Sequence, residues 1–162
     1  MPLSTSLTSR LASQPESLPT LIRGLNEAEL KQEVNPGKWS AFDNIVHLAA
    51  YQPTFFERLQ RMGRENSPRF ERYVADNDPL FHEYRRFSLP ELMDNFTTQR
   101  FLINNHLAQL SEQALRKEGV HPLYGQFNIG QWAEFFLLHE AHHFFTIFML
   151  TASLRKAKPG NS

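Results

Sequence analysis

Phe135-Phe136-Leu137-Leu138-His139-Glu140-Ala141-His142-His143-Phe144-Phe145 begins the most apolar run of this sequence, which extends to Leu154. Because residues four apart stack on one face of a helix, His139 and His143 share a stripe of apolar side chains. That stripe consists of Ile129, Trp132, Phe136, His139, His143, Ile147 and Leu150. The pattern predicts a long helix whose two histidines face the core.

Helix-start signals divide the rest of the chain. A small polar residue followed three positions later by an acid or amide can satisfy the free amides of a first helical turn. Such pairs are Ser13/Glu16, Ser40/Asp43, Ser88/Glu91 and Asn128/Gln131. With the apolar periodicity that follows each pair, they predict helices over about 14–24, 40–62, 88–110 and 128–154. A short helical turn is expected after Asn26. Two prolines lie within the predicted helices: Pro19 weakens the prediction of the first helix, and Pro53 predicts a kink in the second.

These helices predict an all-α fold, an antiparallel four-helix bundle. The link from Gly63 to about Phe87 is the longest, so a longer crossover is expected between helices 2 and 3. No alternating strand pattern is visible. The length of 162 residues fits one domain, with its core at about 14–154 and a flexible tail at about 155–162.

Composition excludes several classes of protein. Basic and acidic residues number 17 each, so no broad positive field exists to attract nucleic acid. Cysteine is absent, which excludes disulfides, thiolate metal ligands and a cysteine nucleophile. Neither a signal peptide nor a membrane-spanning run is recognisable, and a cytoplasmic location is expected.

The histidines suggest a metal site. His47 lies in the second helix, so two inward histidines on one helix can meet a third from another, as a three-nitrogen site for a divalent ion requires. From spacing alone, metal binding and simple core packing both remain open. A structural role is expected for the other four histidines, with His142 turned toward a neighbouring helix or solvent: His82, His106, His121 and His142.

His139 to His143 also match the His-Glu-x-x-His signature of zinc peptidases, in which the glutamate activates water. The sequence after His143 contains no histidine, aspartate or glutamate to supply a third ligand. A peptidase is therefore not expected. Asp43 and Glu140 are candidates to orient a ligand histidine, although exposure to solvent is the expected environment of both.

Three short motifs resemble those of the DinB-like (YfiT-like) metal-dependent proteins. Trp39-Ser40 with Asn44 to Leu48 is similar to the motif of their second helix. His121 to Gly125 and Asn128 to Trp132 resemble the approach to their last helix, and His139 to His143 match its paired histidines. The resemblance covers about 18–150, and relatives often have aspartate where this chain has Glu140.

The resemblance implies a four-helix bundle, commonly a homodimer, that binds one divalent metal ion through His47, His139 and His143. Nickel or zinc is the expected metal, with iron and manganese as alternatives. Characterised relatives include enzymes that use a low-molecular-weight thiol, so a metal-dependent thiol transferase acting on a small molecule is the first functional hypothesis. The alternatives are a small-molecule hydrolase and a non-enzymatic metal- or ligand-binding protein related to stress.

Overall fold

Helices form most of the molecule, and the computed structural model describes residues 2–157. In chain order the elements are α1 (Thr5–Ser13), α2 (Ser17–Ile22), α3 (Glu27–Leu30), α4 (Ala41–Arg64), α5 (Pro79–Tyr84), α6 (Leu89–Ala108), α7 (Glu112–Leu115), β1 (Glu118–His121), β2 (Gly125–Asn128) and α8 (Ile129–Lys156). A four-helix bundle is formed by α4, α6, α8 and the broken segment α1–α2, which confirms the predicted fold class. The crossover between α4 and α6 is long, as predicted, and includes α5.

Three of the four predicted helix starts are confirmed. Ser40, Ser88 and Asn128 each accept a hydrogen bond from the backbone amide three residues on, and the acid or amide at that position bonds back to the cap. Asn26 caps α3 in the same way. The prediction at Ser13 is wrong, because this residue ends α1 and makes no capping bond.

The N-terminal segment begins earlier than the predicted position 14. Ser4 caps α1, and its buried Leu7 and Leu11 extend the core toward the N-terminus. A 3₁₀ turn over 14–16 separates α1 from α2. Pro15 and Pro19 have no amide hydrogen to donate, which explains why this segment is broken rather than one continuous helix.

A β-hairpin that the sequence pattern did not predict precedes α8. In it β1 and β2 pair antiparallel, with Glu118 opposite Asn128 and His121 opposite Gly125. Each strand is four residues long, which is too short for a recognisable alternation. The crossover is joined to this hairpin, because the amide of Phe70 donates to the carbonyl of Val120.

The ends of the long helices differ in detail from the prediction. α8 continues through Lys156, and Arg155 donates to the carbonyl oxygens of Leu21 and Arg23, so these first tail residues are part of the bundle. Residues 158–162 of the predicted tail lie outside the described residues. α4 runs unbroken through Pro53, and the kink there stays a prediction.

The core is divided into two apolar clusters with a polar layer between them. One cluster contains the first part of α4 and the last part of α8, including Ile45 and Ile147; the other contains Phe55 and Trp132. At the level between them the bundle buries polar side chains from several helices: His47, Gln52, Arg100 and Glu140. The predicted histidine site lies in this layer. In the described part of the chain, no helix is long and apolar enough to cross a membrane.

Candidate metal centre

Two helices bring the three predicted histidines together. α4 carries His47, and α8 carries His139 and His143 one turn apart. Nε2 of His47 lies 3.0 Å from Nε2 of His139, and the ring centroids of His47 and His143 are 4.3 Å apart. One ring nitrogen from each histidine lies within 4.8 Å of the other two, a spacing that can accommodate a metal ion.

Burial keeps these imidazoles neutral. Loss of hydration lowers the pKa of His47 to about 3, of His139 to about 4 and of His143 to about 2, and charge repulsion from neighbouring histidines adds to each shift. A neutral imidazole offers the lone pair that a metal ion needs. The site can therefore accept a cation near pH 7 without first releasing protons from its ligands.

Asn44 orients one of the three rings. Nδ1 of His143 lies 2.8 Å from Oδ1 of Asn44, and the Asn44 amide donates to the carbonyl oxygen of Ser40. This arrangement places the proton of His143 on Nδ1 and leaves the Nε2 lone pair free. Asn44 had no predicted role, although it lies three residues before His47 in the motif that begins at Trp39.

The donor set fits a divalent ion. The Nδ1 atoms of His47 and His139 are buried without a hydrogen-bond partner in the described chain, so no acceptor within it fixes the orientation of these two rings. The Nε2 atoms of the same two rings face each other 3.0 Å apart, and this contact requires a proton or a cation between them. Three neutral imidazoles suit zinc, nickel and similar ions, and leave coordination positions for other ligands.

Glu140 and Asp43 occupy different environments from those expected. Both are buried rather than exposed to solvent. Glu140 forms an ion pair with Arg100 and accepts a hydrogen bond from Gln14. Asp43 accepts from Ser40 and pairs with Arg85. Among the described residues neither carboxylate bonds to a ligand histidine, because each is already bound to other partners.

The remaining histidines lie outside the cluster. His142 is exposed, as predicted, and His82 is exposed with Nε2 2.8 Å from the carbonyl oxygen of Asp76. His106 lies edge-on to Phe56. His121 is buried in β1, and its Nδ1 accepts from two backbone amides of the following turn.

A cleft of about 160 Å³ leads to one ligand, His139. Its walls come from α4, the crossover, the hairpin and α8, and include Tyr51, Arg58, Tyr73 and His121. Arg58 and Tyr73 were not predicted as site residues, because only the tertiary fold brings the crossover and the hairpin beside α4. Periodicity along one helix carries no information about these contacts.

The fold and the histidine cluster define a class: four-helix-bundle proteins with an inward-facing set of potential metal ligands. A family model described as the DinB superfamily matches residues 10–147. The chain belongs to this superfamily, as its sequence motifs indicated.

Several solved structures are similar to this chain, and two of them show how closely the fold agrees. The first is YfiT from Bacillus subtilis, described as "a probable metal-dependent hydrolase with an unusual four-helix bundle topology"; it is 15% identical, with a TM-score of 0.80 over 93% of this chain and 86% of YfiT. The second is TT2238, described as a four-helix bundle protein, at 21% identity and a TM-score of 0.64 over 88% of this chain and 95% of TT2238. At these identities the likeness supports the fold alone. No curated protein matches the sequence significantly.

Proposed function

We propose that His47, His139 and His143 bind one divalent metal ion and that the chain is a metal-dependent enzyme that acts on a small molecule. Nickel or zinc is the expected metal, and iron and manganese are the alternatives. The observation that carries this proposal is the meeting of three neutral imidazoles, one buried and two half-buried, beside a cleft. Two of these rings face each other through Nε2 atoms that are 3.0 Å apart, a contact that requires a proton or a cation between them.

The chain's own residues prepare the site for this chemistry. When bound, the ion would lower the pKa of a water or thiol ligand and so supply a nucleophile at neutral pH. Asn44 holds His143 in one orientation, and the rings of Trp39 and Tyr51 pack around His47 and shield it from bulk water. The cleft admits a substrate from the His139 side.

Two reactions fit this arrangement. Hydrolysis with water as the nucleophile is the first, and the description of YfiT supports it. Transfer of a low-molecular-weight thiol to an electrophile is the second. Because the chain has no cysteine, the thiol would come from a cosubstrate, whose sulfur would approach the ion through the tyrosine-lined cleft beside His139.

A homodimer is also proposed. The side of α8 that faces away from the bundle exposes four large apolar side chains: Leu138, Phe145, Phe148 and Met149. An apolar surface of this kind is more often an interface than a free surface. Light scattering on the purified chain checks the proposal, and a mass of one chain, 18.9 kDa, would contradict it.

Metal analysis tests the site directly. We expect wild-type protein to retain one equivalent of metal after reconstitution and desalting, and His139→Ala to retain far less. His142→Ala is the matched control, because this exposed histidine lies on the same helix and outside the cluster. Equal metal content in the His139 variant and the wild type would contradict the proposal.

Activity assays distinguish the two reactions. Metal-loaded protein is incubated with small ester and amide substrates, and separately with glutathione, bacillithiol or mycothiol and a generic electrophile. His47→Ala is the reference for both assays. If the wild type binds metal but its turnover does not exceed that of His47→Ala in either assay, the chain is a non-enzymatic metal-binding protein.

A further inference from the structure

Arg58 is a buried cation without a carboxylate partner. Within the described chain two arginines are buried, Arg58 and Arg100, and they differ in their environment. Arg100 forms an ion pair with Glu140. Arg58 is 8% exposed, and no carboxylate of residues 2–157 forms an ion pair with it. A buried guanidinium is normally paired, so the missing partner calls for an explanation.

The protein fixes the Arg58 side chain without neutralising its charge. Its guanidinium donates to the hydroxyl of Tyr51 at 3.3 Å and to the carbonyl oxygen of Glu71 at 2.9 Å. It also lies over the rings of Phe70 and Trp132, with centroid distances of 5.4 and 5.5 Å. These contacts use two of the five N–H donors of an arginine and hold the planar group in one position.

The positive charge of Arg58 acts on the cleft that leads to the candidate metal centre. Arg58 lines this cleft together with His139 and His121. Burial is the main cause of the lowered pKa of both histidines, and the charge of Arg58 contributes to each. Two further charged residues line the cleft, Glu71 and Arg72, and their opposite charges offset each other. The buried guanidinium of Arg58 therefore gives a net positive charge to the cleft, which also contains one of the three proposed metal ligands.

His121 supplies a second donor to the same cleft. Its Nδ1 accepts hydrogen bonds from the backbone amides of Leu123 and Tyr124, at 3.1 and 3.2 Å. The proton of the neutral ring is therefore on Nε2. A fixed N–H donor and an unpaired guanidinium in a cleft of about 160 Å³ are suited to a small anionic group.

We propose that Arg58, together with Nε2–H of His121, forms a subsite for a carboxylate group of the substrate. The planar guanidinium matches a carboxylate in geometry and charge. The cleft is smaller than the ~300–1,000 Å³ of sites for drug-sized ligands, which favours a small carboxylic acid. This inference rests on the proposed function and deepens it, since it assigns the substrate class and places the carboxylate in the cleft that His139 also lines.

A pair of matched probes tests the subsite without any metal. Sodium propionate and propionamide have nearly the same shape and differ in charge. Their binding to chelator-treated, ¹⁵N-labelled protein is followed by NMR titration. We expect propionate to bind at least about tenfold more tightly to the wild type, because a charge-assisted bond to arginine replaces a neutral one. Arg58→Gln should abolish this difference.

Arg61→Gln is the matched control. Arg61 lies one turn further along α4, is paired with Glu65 and does not line this cleft, so its variant should keep the preference for propionate. No preference in the wild type, or a preference that survives Arg58→Gln, would overturn the inference. The comparison of probes in the wild type needs no variant, so the test holds even if Arg58→Gln does not fold.

A second arm separates this inference from the proposed function. Cobalt-loaded protein is titrated with 3-mercaptopropionate and 3-mercaptopropionamide, and the sulfur-to-cobalt absorption band reports binding. If 3-mercaptopropionate binds more tightly than 3-mercaptopropionamide, and Arg58→Gln removes this difference, both proposals are supported. If the protein binds no cobalt but still prefers propionate, the metal centre fails and the subsite stands; cobalt binding without any preference gives the reverse result.

Discussion

Glu140 has the position of a catalytic base in a peptidase motif but the environment of a structural residue. Its carboxylate is 1% exposed and bound by Arg100 and Gln14, and Arg100 also donates to Gln52 and to the carbonyl oxygen of Leu11. A base must reach water at the metal, whereas these contacts hold the carboxylate within the polar layer. The structure therefore explains why the signature does not indicate a peptidase here.

Removal of the Glu140 charge should be costly. Glu140→Gln leaves the buried Arg100 without its counter-ion, and we expect a loss of about 3 kcal/mol in the free energy of unfolding. Urea denaturation measures the loss. The control is Glu134→Gln on the same helix, where the ion pair with Arg10 is 39–41% exposed and worth less than about 1 kcal/mol. Equal effects of the two variants would refute this account of Glu140.

Asn44 should tune metal affinity through His143. Asn44→Ala removes the acceptor that orients the ring, and we expect affinity for zinc to fall by about 10–100-fold. Competition with a chromophoric chelator measures the change. Ser40→Ala is the comparison, since it removes the cap of α4 at a cost of about 1 kcal/mol without touching His143. An unchanged zinc affinity in the Asn44 variant would show that the bond has no positioning role.

At the scale of elements, the hairpin depends on one close contact. A Cβ atom on Gly119 would lie 2.6 Å from the ring of Phe70 and 3.0 Å from the side chain of Met62. We therefore expect Gly119→Ala to lower the free energy of unfolding by about 1–3 kcal/mol, as in overpacked cores. Gly63→Ala is the matched control: no atom lies within 4 Å of its new Cβ, and alanine favours the helix. A neutral Gly119→Ala would mean that Phe70 can move at no cost.

The sequence was sufficient for the elements with strong local signals. Capping residues and apolar periodicity located α4, α6 and α8 and placed His139 and His143 on the core side of one helix. Local signals were insufficient where structure depends on distant contacts. The hairpin pairs with the crossover at Val120, Arg58 meets Glu71, and Glu140 meets Arg100, and none of these partners lies on the same element. The helix α1 was missed because Ser13 and Glu16 resemble a helix start, whereas the segment begins at the Ser4 cap nine residues earlier.

For the whole molecule, the neutral histidines couple stability to pH. In the unfolded chain a histidine has a pKa of about 6.5, whereas burial lowers the values for His47, His139 and His143 to about 3, 4 and 2. The unfolded state therefore binds more protons below pH 6.5. The stability contributed by neutral burial is present above pH 6.5 and is lost as the pH falls from 6.5 through the folded-state pKa values of about 4, 3 and 2.

Chelator-treated protein should show this loss directly. We expect its free energy of unfolding to decrease by more than about 1 kcal/mol between pH 7.5 and pH 5, measured by urea denaturation. The triple variant with glutamine at His47, His139 and His143 should show a smaller decrease. Because His106 and His121 are present in both proteins, their contributions cancel in the comparison. Parallel pH profiles would show that the cluster does not control the effect.

The polar layer between the two apolar clusters has a consequence for how the helices align. Apolar side chains tolerate many neighbours, so a bundle packed only with them can slide by one helical turn at modest cost. Here a shift of α8 along α4 and α6 would separate His143 from Asn44 and Glu140 from Arg100 and leave charged or polar atoms buried without partners. We therefore expect the polar layer to fix the axial register of the helices, so that one alignment is selected before any ion is bound.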